Sequence, residues 1–321
     1  MDTHDHHHGS HHHDPGHGYQ GHAHHGHHHA PSNPGRAFAI GAFVNFVFVV
    51  AELGFGIAAN SMALIADAAH NFGDVLGLLL AWAAVFLSRR PPTSRRTYGW
   101  GRSSILAALA NAAVLLIGVG AIGIEAVQRL LVPQPVETGL VILVAAAGIV
   151  VNGGSALLFL RDRANDLNIR AQFAHLAGDA VISLGVVLAA VTIRFTGLLW
   201  LDPLASLIVA ALITAGTWGL LRESLGLALD AVPYRVKQDE VAAYLASVPG
   251  VVEVHDLHIW GLSTTETALT AHLVYDGRVE DRRPHELSVE LRRRFGIGHA
   301  TVQIESDADA ALCRLRPNDV V

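Results

Sequence analysis

Two stretches of this chain repeat one arrangement of ionisable side chains. "ADAAHNFGD" carries His70 and Asp74, and "AHLAGDAV" carries His175 and Asp179, each histidine four residues before its aspartate. Positions i and i+4 share one face of an α-helix, so each stretch sets an imidazole beside a carboxylate. Two such helices packed face to face supply two nitrogens and two carboxylate oxygens, a donor set that suits tetrahedral Zn²⁺. Bound metal needs neutral imidazole and ionised carboxylate, so binding releases protons and protonation weakens binding. A site of this kind, opened to each side in turn, exchanges metal for protons.

The elements that must hold these pairs read as membrane spans. The 321 residues are 51% hydrophobic and only 16% charged, against about 25% charged in soluble domains. Six apolar stretches long enough to cross a bilayer lie near 37–58, 62–87, 104–128, 138–160, 173–194 and 199–221. A lone polar residue in a span often serves a helix–helix hydrogen bond, and one His-x-x-x-Asp pair fits that reading as well as a metal site. Two identical pairs in two spans do not, because an ionised aspartate at the bilayer centre costs about 2.5–3.5 kcal/mol and divalent metal would neutralise both. Asn45, Glu52, Asp67, Asn111, Asn152 and Asp202 are the other polar residues of the spans, expected to serve packing, water-pathway or hydrogen-bonding roles.

Orientation follows from arginine. "SRRPPTSRRTYGWGR" carries five arginines and "RDRANDLNIR" three, whereas the first-to-second link has none. The positive-inside rule puts the arginine-rich loops in the cytoplasm, and with an even span number both termini join them. No signal peptide is expected, since the polar N-terminus runs into a full-length span without a cleavage-like site. A net charge of −6 leaves no footprint for nucleic acid, and Cys313, the single cysteine, cannot form an internal disulfide.

The chain therefore divides into a tail (1–35), a six-helix membrane domain (36–224), a linker (225–233), a small α+β domain (234–308) and a short C-terminal tail (309–321). The first tail holds 14 of the 21 histidines and is too polar to bury a core; it suits weak, promiscuous metal capture. In 234–308, "VKQDEVAAYLASV" and "PHELSVELRRRF" read as helices, and "VVEVHDLHIW", "TALTAHLVY" and "ATVQIE" as strands. That is an αββαβ order, ferredoxin-like or metallochaperone-like.

The segments "NSMALIADAAHNFGDVLG", "AHLAGDAVISLG", "LDPLASLIVA" and "VHDLHIWGLS…TAHL…TVQIE" make residues 36–306 resemble the cation diffusion facilitator family, of the bacterial zinc-exporting type. The resemblance implies a homodimer in the inner membrane that exchanges cytoplasmic Zn²⁺ for external H⁺. It carries the transport site onto His70, Asp74, His175 and Asp179, and a histidine at position 70 goes with Zn²⁺, often with Cd²⁺ or Co²⁺, over Mn²⁺. Residues 88–103 contain no Asp, Glu, His or Cys, so the extra loop site of some members is not expected. A regulatory metal site at a cytoplasmic dimer interface would use His255, His272, His285 and Glu305, with His258, His299 and Cys313 as lesser candidates. On a regular strand His255 and His258, three apart, point to opposite faces, so only one should join a given site. Glu305 and His272 face away from their apolar neighbours Ile304, Ala271 and Leu273.

Two other classes compete. An intramembrane metalloenzyme would need an open water position and usually its own base; four protein ligands close the site, and there is no H-E-x-x-H. A membrane-tethered sensor or buffer would explain the histidine tail but not ionisable pairs deep in two spans.

Overall fold

The computed structural model describes residues 34–160, 167–277 and 283–316, so the histidine-rich tail falls almost wholly outside it. Residues 1–40 and 41–321 form two compact units, and every contact below lies within the latter. Six helices come first: α1 (Pro34–Ala58), α2 (Met62–Ser88), α3 (Ser103–Leu131), α4 (Thr138–Phe159), α5 (Leu167–Thr196) and α6 (Leu201–Ala228). By length and composition, α2 to α6 each contain a stretch able to cross a membrane, and α1 adds the shorter apolar Asn45–Ala58. Phe43, Val50, Trp82, Phe86, Ile117, Ile124, Leu143, Val150 and Phe195 all lie exposed on these helices. In water such a surface would aggregate; in a bilayer it is the lipid face.

α6 runs to Ala228, past the boundary expected at 224, and α5 begins at Leu167 rather than near 173. Hydropathy marks where a helix leaves the hydrocarbon, not where it ends, and Arg222 and Glu223 are good helix formers. At the opposite end of the bundle, Asn60 (φ 53°) turns the chain from α1 into α2, as a short amide side chain tolerates. Ser61 caps α2, its hydroxyl accepting from the Leu64 N–H at 3.2 Å. Asp202, at the start of α6, reinforces the cap. Its carboxylate accepts from Ser61 Oγ at 2.5 Å and from the Met62 and Ala63 N–H groups at 2.7 and 3.4 Å. The acid in the sixth span thus satisfies the open end of the second.

The C-terminal domain contains α7 (Gln238–Ala246), β1 (Val251–Gly261), β2 (Thr267–Tyr275), α8 (Arg283–Phe295), β3 (Ile297–Glu305) and a single turn, α9 (Asp307–Ala310). β1 pairs antiparallel with β2 and β2 parallel with β3, in sheet order β1-β2-β3. Alternate residues of β2, Leu269, Ala271 and Leu273, pack with Val241 and Leu245 of α7 and Leu287 and Leu291 of α8. Each fully buried Leu contributes about 1.5–3 kcal/mol, so the helices hold one face of the sheet. α8 stops at Gly296, whose φ of +70° suits a residue without Cβ.

One strand expectation is corrected. His255 stands opposite His272 but His258 stands opposite Thr270, so β1 holds one residue more than β2 over that interval. The extra residue is a bulge at Asp256, which has φ +50°. It moves His258 onto the sheet face shared by His255, which a regular strand forbids.

The domain seats on the helices through the β1–β2 hairpin. The Thr264 N–H donates to Ser104 Oγ at 3.1 Å, and Arg102 pairs with Asp230. A Cβ on Gly101 would sit 2.9 Å from the Leu262 carbonyl oxygen, so only glycine lets the loop approach this closely.

Candidate metal centre

α2 and α5 meet over a short stretch, and the two His–Asp pairs cross it. His70 Nε2 lies 3.0 Å from Asp179 Oδ1, and His175 Nε2 lies 3.3 Å from Asp74 Oδ2 and 3.6 Å from Asp179 Oδ2. The imidazole rings stand edge to face with centroids 6.2 Å apart. One ligand atom each from His70, Asp74 and Asp179 lies within 4.8 Å of the others, and His175 reaches the group through both carboxylates. Each histidine thus faces the aspartate of the other helix, so the set assembles only when α2 and α5 pack together.

Exposure is graded along the helices. Asp74 and His175 are 34% and 40% exposed, His70 20% and Asp179 only 5%. α2 runs towards the C-terminal domain, so Asp74 lies on the side of His70 nearer that domain. α5 runs the other way, so His175 is again the nearer of its pair. Beyond His70 and Asp179 the bundle closes: Asp67 accepts from Ser183 Oγ at 2.8 Å, and Leu64, Val141, Ala145 and Val186 form an apolar plug. The two more exposed groups thus lie on the C-terminal-domain side, and the other side is closely packed.

A second cluster lies on the sheet face opposite α7 and α8. Ligand atoms of His255, His272, Glu305 and Cys313 converge within 4.8 Å. His272 Nδ1 is 3.0 Å from Glu305 Oε1 and 3.6 Å from Cys313 Sγ. His255 is buried, its Nε2 3.3 Å from Glu305 Oε2 and its Nδ1 3.5 Å from Glu253 Oε1, contacts whose alignment makes no hydrogen bond. Buried polar atoms are nearly always partnered, and two nitrogens, a carboxylate oxygen and a thiol are zinc donors. Asp256, the bulge residue, joins the rim, 3.4 Å from His272 Nε2 and 2.8 Å from His258 Nε2. His285, exposed on α8, is separated from this cluster by the sheet itself. His299 stacks edge to face with Tyr98 of the second-to-third loop, at 5.4 Å.

Cys313 gets there because the tail folds back. After α9, Arg316 makes a two-pronged bond to Glu253 at 3.0 and 2.6 Å. That bond holds the Glu253 carboxyl below its ordinary range. A lowered carboxyl stabilises the fold above its ordinary pKa, and the contribution fades only as pH falls through the lowered value; the latch is complete at neutral pH. Arg316→Ala should therefore free the tail, and Cys313 in metal-free protein should react several-fold faster with maleimide than in wild type; equal rates would mean that the latch does not hold the thiol. No periodic signal marked Cys313 or Asp256, because one follows a four-residue helix and the other is a bulge.

Comparison with known proteins agrees with this layout. Residues 38–227 match the family profile of the cation efflux transmembrane domain, and 233–307 that of the cation efflux protein cytoplasmic domain. The chain is 36% identical over 288 residues to the metal cation efflux system protein CzcD of Cupriavidus metallidurans, covering 88% of this chain and 91% of the relative. Zinc transporter ZitB of Escherichia coli is 35% identical over 271 residues, 84% of this chain and 86% of its own. The cadmium, cobalt and zinc/H(+)-K(+) antiporter of Bacillus subtilis is 31% identical over 276 residues, 83% of this chain and 89% of its own. Both halves of the chain match the two halves of one family, and the chain belongs to the cation diffusion facilitators: it is a multi-pass metal cation efflux protein.

Proposed function

We propose that the protein is a Zn²⁺/H⁺ antiporter that carries zinc, and with it Cd²⁺ or Co²⁺, out of the cytoplasm through His70, Asp74, His175 and Asp179. The observation that carries the reading is the convergence of two imidazoles and two carboxylates where α2 meets α5. Two aspartates cancel the charge of a divalent ion, which makes the loaded site neutral in a low-dielectric bundle. Two imidazoles supply nitrogen donors that zinc favours. All four groups must lose protons, or stay without them, to hold the ion, so protons arriving from the far side compete with it.

With the arginine-rich loops on the cytoplasmic side, as the positive-inside rule favours, the graded exposure of the proposed ligands supports a cytoplasm-facing state. Asp74 and His175 stand at the mouth, and release to the other side requires the plug of Leu64, Val141 and Val186 to part. Because the ligands straddle two helices that touch only briefly, a rocking of α2 against α5 both opens that plug and distorts the coordination. The reading makes the protein a carrier in an inner membrane rather than a hydrolase.

The cluster of His255, His272, Glu305 and Cys313 is read as a regulatory zinc site of the cytoplasmic domain. In the homodimer that the family resemblance implies, His285 on the outer face of α8 is free to meet a second copy. Purified protein in liposomes with an imposed pH gradient tests the transport claim. Zinc should accumulate on the acidic side, and flux should collapse when the gradient is dissipated. Zinc binding without gradient-driven flux would sink it.

A further inference from the structure

Just under one helical turn before His70 on α2 begins a pair of acids that the metal chemistry does not use. Glu52 of α1 and Asp67 of α2 are both fully buried, and their carboxyls interact directly with each other. Glu52 Oε2 accepts from Asn71 Nδ2 at 2.9 Å, and Asp67 Oδ2 accepts from Ser183 Oγ at 2.8 Å. The remaining oxygens, Glu52 Oε1 and Asp67 Oδ1, are buried with no donor at all.

The charged groups facing the pair are few. His70 on α2 and Asp179 on α5 act on it only through space, and His70 Nε2 is already engaged by Asp179. Neither α2 nor the part of α1 from Gly41 onward contains a lysine or arginine. Two ionised carboxylates this close in a buried setting, with His70 as the one nearby group able to carry positive charge among the described residues, repel strongly. A single proton held by the pair removes the repulsion and turns one of the two acids into a donor.

We propose that Glu52 and Asp67 form a proton-binding site separate from the metal ligands, and that the antiporter exchanges this shared proton as part of its cycle. The proposal rests on the proton-exchange reading above. Its wiring follows from the neighbours: Asn71, the donor to Glu52, directly follows His70, and Ser183, the donor to Asp67, sits one helical turn after Asp179. Displacing α2 against α1 and α5 on metal loading shifts Asn71 relative to Glu52 and Ser183 relative to Asp67. The affinity of the pair for its proton therefore depends on where the metal-carrying helices stand, and by linkage the proton biases those helices in return.

The test uses full-length protein in liposomes, with zinc uptake and proton release recorded together. Glu52→Gln replaces the shared proton with a fixed N–H donor to Asp67. The variant should bind zinc with wild-type stoichiometry while its H⁺-to-Zn²⁺ ratio falls by one, and Asp67→Asn should give the same fall. An unchanged ratio in both variants overturns the proposal while leaving proton exchange at the metal ligands intact. A wild-type protein that moves zinc without protons overturns both readings together. Should neither variant fold, the infrared spectrum of metal-free wild type decides: a C=O stretch from a buried protonated carboxyl supports the site, and its absence sinks it.

Discussion

Asp179→Ala should abolish zinc transport while leaving a folded protein. Asp179 is the most buried of the four proposed ligands and, of the two aspartates, the one in contact with both imidazoles, at 3.0 Å from His70 and 3.6 Å from His175. Its removal leaves a divalent ion with one carboxylate and thus a net charge inside the bilayer, which is costly. Partners that merely orient a metal ligand are worth roughly 10–100-fold in affinity, so deletion of a ligand should exceed that, and gradient-driven flux should fall by at least about 100-fold. Asp179→Asn separates charge from shape. It keeps the volume and one acceptor oxygen, so if charge neutralisation is what the carboxylate supplies, it fails as completely as alanine. A rapid Asp179→Asn transporter would mean that the pair serves packing. The folded state should survive in both, because metal-free protein loses a buried charge along with its hydrogen bond.

The second large effect is on stability and lies at the opposite end of the bundle. Asp202→Ala takes the acceptor from Ser61 Oγ and from the Met62 and Ala63 N–H groups, which have no water to turn to. A hydrogen bond to a charged group is worth about 1.5–3 kcal/mol; with Ser61 still capping Leu64 and the Ala63 bond long at 3.4 Å, the loss is expected to be at least about 3 kcal/mol. Detergent-solubilised protein should melt several degrees lower, with zinc affinity at the transport site unchanged. Asp202→Asn retains one acceptor and should fall between. Wild-type melting of the alanine variant would show that the cap is redundant with Ser61.

Asp202 also shows where sequence reasoning stops. Its position in a span left packing, water-pathway and hydrogen-bonding roles open, and its partners lie about 140 residues away, where no local pattern names them. The two His–Asp pairs were legible because the helical period alone puts i and i+4 on one face, and the six apolar stretches were legible because bilayer thickness sets their length. Helix ends were less so: α6 carries on through Arg222 and Glu223 to Ala228, where hydropathy sees only the loss of apolar residues.

In the C-terminal domain the αββαβ order followed from periodicity, while the site did not. Strand parity set His258 against His255, and one residue in a left-handed conformation, Asp256, reversed it. Cys313 ranked low because a single cysteine in a tail has no period to read; a one-turn helix and the Arg316–Glu253 bond bring it to His272. His285 had the chemistry of a ligand but sits on the far side of the sheet. Glu52 was expected in a packing, water-pathway or hydrogen-bonding role, and its unpartnered buried oxygen is what points to the proton site proposed above.

The most direct measurement is the X-ray absorption spectrum of zinc bound to protein lacking residues 1–33 and carrying His255→Ala, His272→Ala and Cys313→Ser, so that the intramembrane site alone is filled. Four-coordinate zinc with two imidazole nitrogens at about 2.0–2.1 Å and two carboxylate oxygens at about 2.0–2.2 Å is the predicted first shell, lost in Asp179→Ala. A six-coordinate, all-oxygen shell, or an unaltered spectrum in Asp179→Ala, would contradict it.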